Sequence, residues 1–144
     1  MPSIAKRDNG KWRARYRDEG GKEHARHFPR KVDAQRWLDE VTASVVTGNY
    51  VDPKAGKIAF RAFFDQWSVR QVWKPGTTNA MELAALSTPF VDIPMANIRR
   101  SHVEAWIRAM DRRGLAPGTI HTRYVNVRSV FRAAVMDRVI AHDP

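Results

Sequence analysis

Four cations spaced two residues apart, Lys11, Arg13, Arg15 and Arg17, stand in the stretch GKWRARYRD, with Trp12, Ala14 and Tyr16 between them. In an extended strand successive side chains leave on opposite faces. The aromatic set then shares one face and the cationic set the other. A guanidinium donates in a planar fork that fits phosphate oxygens or the O6 and N7 of guanine. The chemistry on offer is recognition of a polyanion rather than bond cleavage. Arg13 and Arg15 are central and suit base edges. Lys11 and Arg17 lie nearer the turns and suit phosphate. The competing reading is a solvated sheet face on which long cations only fill space.

Other candidates lie further along the chain. His24 or Arg26, on a following strand, is expected to join the same open face. Lys74 and Thr77 fall where a helix should begin, and backbone donors there attract phosphate. His121, Arg128 and Arg132 recur at i, i+7 and i+11, so one flank of a long helix is basic while another packs. Arg99, Arg100, Arg112 and Arg113 are further cations beside turns.

The balance of charge agrees with a polyanionic partner. The chain has 144 residues, 25 Lys and Arg against 15 Asp and Glu, and a formal net charge of +10. Residues 1 to 57 hold 13 basic and 8 acidic side chains, and residues 58 to 144 hold 12 and 7, so both halves are equally positive. With 43% hydrophobic and 28% charged residues, the composition is globular. It has no cysteine, which removes disulfides and thiolate metal sites. No run approaches the ~18 apolar residues of a membrane span, and MPSIAKRDNG lacks the apolar core of a signal peptide.

Catalytic signals are not found. There is no Gly-rich phosphate loop, so no nucleotide cofactor is implied. His24 and His27 stand three apart without a compact acidic cluster, and no metal site is expected. Ser101 and His102 are neighbours in sequence, which suits a helix start better than a nucleophile and its base. In HTRY, residues 121 to 124, Tyr124 belongs to the apolar face of a helix and is expected to pack.

Two sets of elements must position these residues. Residues 2–5, 11–17 and 22–28 read as a three-stranded antiparallel meander, with turns at Asp8-Asn9-Gly10 and Asp18 to Gly21. A helix from Val32 to Thr47 presents Ala34, Trp37, Leu38, Val41 and Val45 to cover its apolar side. The expected core is Trp12, Ala14, Tyr16, Phe28, Trp37, Leu38 and Val41. Phe28 shares its alternation with His24 and Arg26, so either it lies beyond the regular strand or a bulge changes its face. GNYVDPKAGK, residues 48 to 57, reads as a connector. Helices are then expected over Phe60–Val72, from Thr77 or Thr78 to Leu86, over Ser101–Asp111 with Ser101 and Glu104 as a capping box, and over Pro117–Asp137. STPFVDIP reads as a loop. The fold class is two small domains, an α+β unit over residues 1–52 and an all-α unit over 58–144.

Taken in order, these segments resemble the N-terminal part of a tyrosine recombinase, the phage integrase family, in its actinobacterial and phage branch. GKWRARYRD, GGKEHARHF and KVDAQRWLDE are similar to its arm-type DNA-binding domain, with Arg30 where a capping Thr is common. GNYVDP resembles its connector. AFRAFFDQW, WKPGTT, IRRSHVEAWIRAM and GLAPGTIHTRYVNVRSVFRAAV resemble its core-binding, SAM-like four-helix domain. The resemblance implies a chain that binds arm-type and core-type attachment sites in double-stranded DNA during integration of a phage or mobile element. It also implies a bacterial cytoplasm, at the nucleoid, with other recombinase protomers as partners and a host bending factor or excisionase as further candidates. The family's catalytic domain, with its nucleophilic tyrosine, would follow this stretch, so the chain is expected to hold DNA without cutting it. Two readings of other classes stand beside this one. One is a freestanding DNA-binding regulator or excisionase-like factor. The other is a basic protein-interaction module that meets an acidic partner.

Overall fold

Alternation and turn chemistry build the first unit. In the computed structural model, which describes residues 2–144, strands Ser3–Lys6 (β1), Trp12–Arg17 (β2) and Glu23–Phe28 (β3) pair antiparallel in the order β1-β2-β3. Gly10 and Gly21 sit at φ +80° and +81° in the two connecting turns. Each turn therefore uses a conformation that side-chain-bearing residues rarely adopt. Asp18 shapes the second turn, its Oδ1 accepting the backbone N–H groups of Gly20 at 2.9 Å and Lys22 at 3.0 Å. Helix Lys31–Val46 (α1) covers one side of the sheet, and Ala14, Tyr16, Ala34, Leu38 and Tyr50 form the buried core. Trp12, Phe28, Trp37, Val41, Val45 and Ile4 pack around it, half-buried. Arg30 precedes the helix without a side-chain cap bond.

The parity problem of β3 has a simpler solution than a bulge. Trp12 pairs with Phe28, Ala14 with Arg26 and Tyr16 with His24, so β3 is regular throughout. Residues directly opposite one another share a face. Putting Phe28 against the helix side therefore carries His24 and Arg26 there too.

The stretch expected to be a plain connector is partly structured. At the end of α1 the Gly48 N–H donates to Val45 O at 3.2 Å and the Asn49 N–H to Ser44 O at 2.9 Å. Tyr50 then turns back into the first core, 8% exposed, and its hydroxyl lies 2.8 Å from that of Tyr16. Two compact units result, the first ending at Tyr50 and the second running from Val51 to Pro144.

In the second unit, among the described residues, four α-helices follow a short 3-10 turn at Ala55–Lys57: Phe60–Ser68 (α2), Pro75–Leu86 (α3), Arg100–Arg112 (α4) and Pro117–Met136 (α5). Phe60, Phe64, Met110, Val127 and Val130 are fully buried, as are Phe90 and Met95 from the segment between α3 and α4. The loop STPFVDIP is thus a core element. Phe90 meets Phe60 at 5.4 Å, Trp106 at 6.0 Å and Phe131 at 6.1 Å between ring centroids. The same loop caps α2, with Ile93 O accepting from Phe60 N at 3.1 Å and Val91 O accepting from Arg61 N at 2.9 Å. These carbonyls satisfy donors that a helix start leaves orphaned, which explains why α2 needs no capping side chain. No described helix is long and apolar enough to cross a membrane.

Helix ends differ from expectation in three places. α2 stops at Ser68, four residues early, and Trp73 returns to meet Trp67 edge-on at 5.2 Å. α3 begins at Pro75, with Lys74 at the N-cap and neither threonine capping it. Proline suits that first position because its missing N–H would be orphaned anyway. α4 begins at Arg100, where His102 rather than Glu104 reaches back, its Nδ1 accepting the Arg99 N–H at 2.8 Å.

Candidate nucleic-acid interface

The sheet side away from α1 is assembled by register. Arg13 lies between Ala5 of β1 and His27 of β3, Arg15 lies between Ser3 and Ala25, and Arg17 lies beside Glu23. Three arginines therefore share an open face, and only Arg15 has small neighbours on both sides. Arg13 is half-buried, and its Nε is shut off from solvent without a hydrogen-bond partner among the described residues. Arg15 and then Arg17 follow it along the strand, and Arg15 Nη1 stands 3.6 Å from Glu23 Oε1. Lys11 is exposed in the turn before β2, its backbone N–H donating to Asn9 Oδ1 at 3.0 Å.

The placement of His24 and Arg26 on this face is corrected by the register. His24 lies on the covered side, its side chain 8% exposed, stacked on Tyr16 with ring centroids 5.0 Å apart and planes 16° apart. Its Nε2 stands 2.9 Å from Asp18 Oδ2. Arg26 lies over the Phe28 ring at 5.2 Å, at the border of the same side. Lys6 and Lys31 approach the Trp12 ring at 5.9 and 5.5 Å. These cations shield the aromatic core, where a desolvated ring attracts them. The open face instead receives His27, and it also receives one carboxylate, Glu23. The signal for both was available: once Phe28 must face the helix, period-2 alternation sends residues 23, 25 and 27 outward. His24 and His27 consequently diverge.

The His24 contact has a measurable consequence. Its hydrogen bond, joined by the Lys22 and Gly20 backbone donors and opposed by burial, holds the Asp18 carboxyl below the ordinary aspartate value of 3.8. A carboxyl whose folded value is depressed adds stability above its unfolded value and loses it as pH falls through the folded one. Asp18→Asn keeps an oxygen for the turn and removes the charge. Urea midpoints followed from about pH 5 to about pH 2 should fall less steeply in this variant than in the unaltered chain. Parallel acid limbs would show that the contact contributes nothing.

Within the second unit the candidate contact residues are exposed and lie at the start of α3 and along α5. Lys74 and Thr77 flank the start of α3. His121, Arg128 and Arg132 line one exposed strip of α5, interleaved with Val125 at 42% and Met136 at 85% exposure. Tyr124 is half-buried against the helical core, as its place on the apolar face requires.

No curated protein and no solved structure matches the chain. One family model does match, over residues 3–47, a span that begins with the first residue of β1 and ends one residue beyond α1. The sheet that carries Arg13, Arg15 and Arg17, together with its covering helix, is thus similar to the family described as phage integrase, N-terminal domain.

Proposed function

We propose that the chain is the DNA-holding N-terminal part of a site-specific tyrosine recombinase. Its first unit lays the open sheet face into the major groove of an arm-type site, and its second grips the core-type site. The carrying observation is the one-sided sheet: three arginines alternate onto the uncovered face while the intervening residues pack under α1. A narrow antiparallel sheet fits a major groove, and arginine is its commonest specific reader. In the second unit His121, Arg128 and Arg132 meet phosphate from one strip of α5, and Lys74 and Thr77 do so from the start of α3. Other protomers assemble around the same DNA, and the chemistry of strand exchange belongs to a separate catalytic domain.

The test is a titration of the intact chain, at several salt concentrations, against a duplex selected from a random pool, a scrambled duplex and an acidic protein. Each phosphate neutralised should steepen the log–log salt dependence by about 0.9, and the selected duplex should be preferred. Equal binding to the acidic protein would favour an interaction module instead.

A further inference from the structure

The open face is not uniformly cationic. Glu23, at the start of β3, sits beside Arg17 in the register and 3.6 Å from Arg15, with both members of that pair exposed, 41% for Arg15 and 46% for Glu23. An exposed pair of this kind contributes little to folding. On a face that meets a polyanion it has a definite effect, because a carboxylate repels phosphate wherever Arg15 would approach one. The same carboxylate suits base edges. Glutamate accepts from the N4 amino group of cytosine, and arginine donates to O6 and N7 of guanine. In a G·C pair that O6 and that amino group lie side by side in the major groove, each bonded to the other. Ser3 and Ala25, which flank Arg15, are too small to keep a base pair away.

We propose that Glu23 sets specificity on the sheet face: with Arg15 it reads one G·C pair, Arg15 at the guanine and Glu23 at the cytosine, and its charge disfavours binding elsewhere. The assignment rests on the major-groove reading above. It makes Arg15 a reader of bases, and it makes an acidic residue a positive contributor to discrimination on a basic surface.

Glu23→Gln removes the charge and keeps the shape of an exposed side chain, so folding should be retained, as circular dichroism can verify. The unaltered chain and the variant are titrated against the selected duplex, a set in which each G·C pair is changed in turn to A·T, and a random duplex. The expected result is tighter binding of the variant to random DNA and weaker binding to the selected duplex. Discrimination should fall about tenfold, with the lost preference confined to one G·C position. Equal shifts on all duplexes, or none, would overturn this inference while leaving the DNA reading intact. Failure of the unaltered chain to bind any duplex would overturn both.

Discussion

Arg15→Ala should weaken binding to a preferred duplex by about 1–3 kcal/mol, the worth of one good bidentate base contact, and weaken binding to random DNA less. Two effects combine at this position. The variant loses the donor fork, and it removes the guanidinium 3.6 Å from Glu23, leaving that carboxylate less neutralised where it faces DNA. Arg13→Ala removes a donor without exposing a carboxylate, since Arg13 lies between Ala5 and His27. Its effect should be the smaller. The two residues share one face, so the double variant should not equal the sum of the single ones, but it should abolish discrimination. Lys11→Ala offers the contrast: binding to every duplex should weaken alike, and the salt slope should drop by about one if the lysine meets phosphate. Unchanged affinity and discrimination in the Arg13/Arg15 double variant would show a merely solvated face and move the binding to the helical unit.

Phe90→Ala should cost the second unit about 3–5 kcal/mol, the range for removing a buried aromatic side chain. Phe90 is 1% exposed and touches Phe60, Phe131 and Trp106, so its loss opens the centre of the core rather than its margin. The first unit has its own core around Ala14, Tyr16 and Leu38. We expect two thermal transitions in the unaltered chain and only one of them displaced in the variant. Residue-resolved hydrogen exchange would follow β2 and α5 separately. A single transition in which both move together would show that the units do not fold independently.

Much of this was legible because it depends on local periodicity. Trp12, Ala14 and Tyr16 alternate with four cations, and no neighbouring element is needed to divide them between two faces. Helices beginning near Phe60 and Pro117 were legible in the same way, from three- and four-residue apolar spacing. The exact ends of α2, α3 and α4 were less legible. There the competing contacts, such as Trp73 against Trp67 or His102 against the Arg99 N–H, depend on where the chain returns.

The sequence by itself determined two cationic units of different class, and an arginine set confined to one side of a short strand. Period-2 and period-3.6 patterns encode which face of an element is apolar, and they need no partner to do so. Tertiary structure decided what stands beside those arginines. Strand pairing put His27 and Glu23 on the open face and took His24 and Arg26 away from it, because register, not composition, sets which residues are cross-strand neighbours. It also decided that Phe90 and Tyr50, both in segments that read as connections, complete the two cores. A loop residue is buried only when elements distant in sequence converge around it, and no local pattern records that convergence.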